Sequence, residues 1–152
     1  MYFSSKRDTW IGLLLWIPMI AGLVLTTWIP LANGQYDPTG TFIYTIQGGT
    51  IKISGEYGEV IKLSDITGIV IKDQIPEIQL KTNGSGLGSM LKGYFKLKGI
   101  GQAKLFVDTQ KPPFIFISVK SGLRIVNTEK SSETDQLYEK LLEAWKQNAG
   151  SK

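Results

Sequence analysis

The stretch of this chain best equipped for chemistry is Leu80 to Val107, which carries five lysines, at 81, 92, 96, 98 and 104, and no acidic residue. Its glycines, at 84, 86, 88, 93, 99 and 101, let backbone N–H groups approach an anion closely. Lys96 and Lys98 alternate with Tyr94, and Lys104 alternates with Phe106, which is the mixture of cationic and aromatic side chains that suits a membrane surface. With Asn83 among them, Lys81, Lys92, Tyr94, Lys96, Lys98 and Lys104 are the candidate ligand-binding residues, for lipid headgroups or an acidic partner. The same residues also read as the outward face of half-buried strands, with the glycines serving turns and a bulge.

Other chemistries find little to work with. The 152 residues include no Cys and no His, which removes disulfides, thiolate nucleophiles, Cys-ligated zinc and the commonest general base. The nearest paired carboxylates, Glu56 with Glu59 and Asp73 with Glu77, fall in expected turns, where charged groups are solvated, and no calcium-loop spacing appears. Gly84-Ser85-Gly86-Leu87-Gly88 lacks the GxGxxG spacing and is not followed by a long helix, and no Gly-Lys-Ser or Gly-Lys-Thr exists for a phosphate-binding P-loop. The expectation is therefore a non-enzyme with no catalytic residues, no metal site and no cofactor. A net charge of +4 is too small to argue for nucleic acid.

The elements that would hold the lysine-rich stretch begin with a marked apolar run. No charged residue occurs from Thr9 to Tyr36, and the 23 residues 10–32 would form a helix of about 35 Å, enough to cross a hydrocarbon core once. Trp10 and Trp28 mark its ends and, with Trp16, are the expected membrane-anchor residues. A cleaved signal peptide fits less well, because the run is too long and Pro30 occupies the minus-three position of its one candidate site. Lys6 and Arg7 precede the span and the next basic residue is Lys52, so the N-terminus is expected in the cytoplasm and the domain outside. The predicted organisation is a basic flank at 1–9, a single-pass transmembrane helix at 10–32, a polar joint at 33–40, a domain at 41–147 and a disordered tail at 148–152.

Beyond the joint the period changes from helical to alternating. Phe42, Tyr44 and Ile46 share one face, Gly48-Gly49 makes a turn, and Ile51 and Ile53 continue the hairpin. Further strands are predicted over 59–63, 67–72, 94–98, 102–108, 113–119 and 123–127, with a weaker one at 77–81. The run 113–119 is apolar on both faces, as a central strand should be. In the last part of the chain, Leu137, Leu141, Leu142 and Trp145 form an apolar stripe over 131–147, and Ser132 with Asp135 suggests the helix start. Seven or eight short strands followed by one amphipathic helix describe a small barrel or sandwich with a helical cover.

Three stretches carry a resemblance: Leu63-Ser64-Asp65-Ile66; Lys81 to Gly88 continuing through Gly93-Tyr94-Phe95-Lys96-Leu97; and Gly101 to Val107 with Pro112-Pro113-Phe114-Ile115. On these, residues 41–147 resemble a bacterial pleckstrin-homology-like domain of the membrane-anchored kind. The resemblance implies a PH-like barrel of about seven strands closed by the C-terminal helix. It also implies a binding role without an assigned ligand. The first hairpin loop holds Gly48-Gly49 and Lys52 rather than a basic cluster, so phosphoinositide binding does not carry over. The expected function is a membrane-tethered, non-catalytic interaction module for a protein or peptide, with self-association as a further partner option. The alternative is a reader of anionic lipid headgroups through the lysine-rich 81–104 segment.

Overall fold

A computed structural model describes residues 42–150. The 1–9 flank, the apolar 10–32 run with Trp10, Trp16 and Trp28, and the 33–40 joint lie outside the described residues. Among the described residues, no helix is long and apolar enough to cross a membrane.

Among the described residues, alternating sequence produces nine strands: β1 (Ile43–Gln47), β2 (Thr50–Ser54), β3 (Glu59–Lys62), β4 (Ile66–Lys72), β5 (Ile78–Leu87), β6 (Met90–Leu97), β7 (Gly101–Asp108), β8 (Phe114–Val119) and β9 (Gly122–Val126). Among the described residues one α-helix, α1, runs from Ser131 to Gly150. It thus starts before Ser132 and ends at Gly150, within the expected 148–152 tail, whose last two residues lie outside the described ones.

The expected single barrel of about seven strands closed by a helix is not formed. The strands divide into a three-stranded sheet, β1-β2-β3, and a six-stranded sheet in the order β4-β8-β9-β7-β6-β5, and neither closes. The division falls where Leu63–Asp65 makes a 3-10 turn between β3 and β4. That turn is held to the β8–β9 connection by the Lys120 N–H donating to the Asp65 carbonyl (3.0 Å) and by the Lys120 ammonium on the Asp65 carboxylate (3.0 Å). Every pairing is antiparallel except β7 with β9, because β8 folds back between β4 and β9.

The first hairpin follows from two glycines. Gly48 and Gly49 have φ of +57° and +73°, the left-handed pair that a two-residue turn needs to match strand twist. At the other hairpin, β5 with β6, the glycines serve close approach instead. Gly84 and Gly93 face each other in register, and a Cβ at Gly93 would meet the Asn83 carbonyl at 2.5 Å and the Gly84 Cα at 2.6 Å. The expected weak strand at 77–81 therefore extends to Leu87, and the N–H groups on its β6 side face a partner strand in place of an anion.

The six-stranded sheet is apolar on both faces. On one face Ile69, Ile115, Ile117, Phe106 and Val126 pack with Ile51, Ile53 and Ile61 of the small sheet and with Leu137 and Leu141 of α1. The other face gathers Phe95, Leu97, Ala103, Leu105, Val107, Phe114, Phe116 and Ile125, with Ile75 and Ile78 against them. Edge strands β4 and β5 are joined by residues 73–77 alone, a reach of about 20 Å. A flat sheet of six strands would set its edges at least about 24 Å apart, more than this connection reaches, so the sheet is not flat.

Two polar devices tie the layers. Buried Asn127 donates from Nδ2 to the Asp108 carbonyl (2.9 Å) and the Lys111 carbonyl (2.6 Å), and its Oδ1 accepts from the Asp108 N–H (2.9 Å). Tyr44 of β1 donates from its hydroxyl to the Asn127 carbonyl (2.8 Å), and burial pushes its phenol well above the usual range. Asn127→Ala is expected to cost about 2–3 kcal/mol, since it strands several buried backbone groups at once. A urea unfolding midpoint read at unchanged m-value checks this, and a cost below about 0.5 kcal/mol would mean that water replaces the amide.

Candidate functional site

Strand β6 divides its side chains cleanly by alternation. Phe95 and Leu97 enter the second core, while Lys92, Tyr94 and Lys96 occupy the opposite face. Register then adds neighbours to that face: Asn83 of β5 and Lys104 of β7 flank Tyr94, Ser85 and Phe106 flank Lys92, and Leu80 and Gln102 flank Lys96. Five of the seven residues expected at the site, Asn83, Lys92, Tyr94, Lys96 and Lys104, thus share one face. Lys81 pairs in register with Phe95 and belongs to the other. Lys98 lies beyond the end of β6 and is bound to Glu77 at 2.8 Å on the surface.

The five differ in exposure. Lys96 and Asn83 are exposed, Lys92 and Tyr94 are half-buried, and Lys104, expected among outward side chains, is buried. Burial of Lys104 follows from its strand: β7 is internal, paired by β6 on one side and β9 on the other, and the small sheet covers it. Arg124 of β9 stands directly beside it in the parallel register. Glu59 of β3 meets both. Its carboxylate accepts from Arg124 Nε at 2.9 Å and from Arg124 Nη2 at 3.1 Å, a bidentate pair, while Lys104 Nζ is 3.6 Å from Oε1. Side-chain exposures of 8% for Lys104, 9% for Arg124 and 18% for Glu59 make this a buried cluster of two cations and one anion.

Aromatic rings complete the surroundings. Lys104 Nζ lies 5.3 Å from the Tyr94 ring centroid and 5.4 Å from that of Phe106, and Lys92 Nζ lies 5.3 Å from that of Phe42. Thr82 fixes the bulged edge beside them, donating to the Tyr94 carbonyl (3.0 Å) and accepting from the Gln102 side chain (3.3 Å).

Glu59 and Arg124 were not among the expected site residues, yet their phase in the sequence carries the signal. Glu59 is in step with inward Ile61, Arg124 with Val126, and Lys104 with Phe106. Three charges at inward positions on three strands must find one another or remain unpaired in the core.

The carboxylates considered for catalysis fall into two kinds. Glu59 holds Arg124, Glu77 holds Lys98, and Glu56 and Asp73 are exposed. Burial pushes the Asp108 carboxyl up, but hydrogen bonds from Ser89 and the Gln110 N–H, with the nearby Lys111 ammonium, outweigh it and hold the group below its ordinary value.

A separate feature is a groove of about 680 Å³ between β1 and α1. Five consecutive residues, Phe42 to Ile46, line one wall, and Leu137, Gln136, Glu133 and Lys140 of α1 line the other with Thr128. Consecutive residues can line a wall only if the strand presents its edge, and β1 is the edge of its sheet. The two-residue turn makes Gln47 and Thr50 a hydrogen-bonded pair, so the ladder also uses Thr45 and Ile43. The N–H and C=O of Tyr44 and Ile46 therefore point outward into the groove. No protein-family model, no curated protein and no solved structure matches this chain.

Proposed function

We propose that this protein is a membrane-tethered, non-catalytic interaction module that takes up an extended protein or peptide segment along the edge of β1. The observation that carries the reading is the groove: it offers the outward backbone groups of Tyr44 and Ile46 beside an apolar wall from Leu137 and Phe42. An added strand would gain main-chain hydrogen bonds from the first and side-chain specificity from the second. The apolar 10–32 run supplies the tether in this reading, and the domain works within a short distance of the bilayer. The lysine face lies on other strands and is no part of this groove.

A photo-crosslinking amino acid at Thr45 is expected to trap a partner in native membranes, and Ile43→Lys is expected to reduce the adduct at least tenfold. Ile43 is 55% exposed, so the substitution charges the edge without entering the core. The control places the same crosslinker at Val60, an exposed position on β3. Equal adducts at Thr45 and Val60, or an adduct unchanged by Ile43→Lys, would remove the groove from consideration.

A further inference from the structure

The buried cluster is not neutral. Arg124 occupies both oxygens of Glu59 with short hydrogen bonds, and Lys104 is left with a 3.6 Å approach to one of them. Its ammonium has three donors, and among the described residues it makes no hydrogen bond. The rings of Tyr94 and Phe106 favour a cation there but accept no hydrogen bond along their faces comparable to that of an oxyanion. Neighbouring charge increases the imbalance. Lys92 and Lys96 share the face, one on each side of Tyr94, and no acidic residue occurs between Leu80 and Val107. Asp108, two residues beyond Phe106, is engaged by Lys111 at 3.5 Å and by Ser89.

A buried positive charge in excess of its counter-charge is unfavourable unless something negative completes the set. We propose that Lys104, with Lys92 and Lys96 on the same face, binds a phosphate group. The chemistry fits in three respects. Phosphate has enough oxygens to accept from Lys104 and from one of the flanking lysines together. The Tyr94 ring, 5.3 Å from the Lys104 ammonium, leaves the donors of that cation without an oxyanion partner. Lys96 is exposed and Lys92 is half-buried, so solvent reaches the β6 side of the face, and Lys104 lies buried on the neighbouring strand. The site shares no lining residue with the β1 groove, though Lys92 lies over the Phe42 ring at 5.3 Å, and a soluble phosphate and a phospholipid headgroup would present the same group to it.

The test is thermal unfolding of the full chain in dodecyl maltoside micelles, whose headgroup contains no phosphate, with sodium phosphate compared against sodium chloride at equal ionic strength. Wild type, Lys104→Met and Lys96→Gln are compared. Phosphate is expected to raise the wild-type Tm by roughly 5 °C more than that of Lys104→Met. In chloride, Lys104→Met should melt no lower than wild type, because Arg124 and Glu59 remain as a matched pair. Lys96→Gln, an exposed change that leaves the fold intact, should show a reduced increment. Phosphate stabilises proteins in general through exclusion from their surface, so an equal increment in all three proteins overturns the proposal. Should Lys104→Met fail to fold, an increment unchanged by Lys96→Gln overturns it as well. Nanodiscs containing phosphatidylglycerol, without added phosphate, separate the sources. A Lys104- or Lys96-dependent rise in those discs identifies a lipid headgroup, a rise with added phosphate alone identifies a soluble phosphate, and neither rise means that no phosphate site exists.

Discussion

Glu59→Gln is expected to lower the unfolding free energy by about 3–5 kcal/mol, a large share of what a domain of this size possesses. Glu59 is the partner of two buried cations, and the amide that replaces it carries no charge and has a single acceptor oxygen. Arg124 would lose one of its two hydrogen bonds and Lys104 its ion pair, while both remain covered by the small sheet. Combining Glu59→Gln with Lys104→Met should return part of the loss, because one uncompensated charge remains instead of two. The four proteins form a double-mutant cycle readable by guanidinium unfolding at constant m-value. A loss under about 1 kcal/mol would mean that the cluster behaves as a solvated surface pair, with water reaching both cations.

Leu141→Asp is expected to abolish cooperative unfolding altogether. Leu141 has no exposed surface and packs in the first core with Leu137 of its own helix and with apolar residues of both sheets. A carboxylate there must either stay charged in an apolar environment or take up a proton, and it gives up the leucine packing in both cases. Leu141→Ala separates the two contributions. It removes the packing alone, and the expected cost is about 2–5 kcal/mol with a transition still present. Circular dichroism during thermal unfolding checks both variants. A Leu141→Asp protein that keeps a sharp transition would mean that α1 can leave the sheets without loss of the core. The hydrogen bond from Trp145 Nε1 to the Ile66 carbonyl (3.1 Å), the turn-side anchor of the helix, would then be broken in the folded protein.

The local pattern was legible to a considerable degree. Strand positions in the domain follow period-two alternation, and the run 113–119, apolar on both faces, is an internal strand with cores above and below. The helical stripe at Leu137 and Leu141 faces the core as its spacing requires. The length of β5 was not legible, because Gly84 and Gly86 weaken strand propensity and resemble loop residues. They are admitted there by a contact with Gly93 that no local reading contains. The architecture also differed from expectation. A break of three residues at Leu63–Asp65 separates a three-stranded from a six-stranded sheet, and strand count with strand spacing alone cannot distinguish that from a continuous barrel.

Lys104 illustrates the boundary. Its alternation with Phe106 was plain, but alternation establishes only that the two share a face. Whether that face meets water depends on what covers the strand, and here β7 is covered by a sheet whose β3 carries Glu59, 45 positions earlier in the chain. What the amino-acid sequence determined by itself is what backbone geometry determines locally: the period of each element, the two-glycine turn and the helical stripe. The tertiary structure alone decided which faces are covered, that Lys104, Arg124 and Glu59 meet, and that β1 is, among the described residues, an edge strand beside α1. Those outcomes depend on contacts between residues far apart in the chain, and the energy of burying a charge or pairing an edge is set by the partner rather than by the neighbours in sequence.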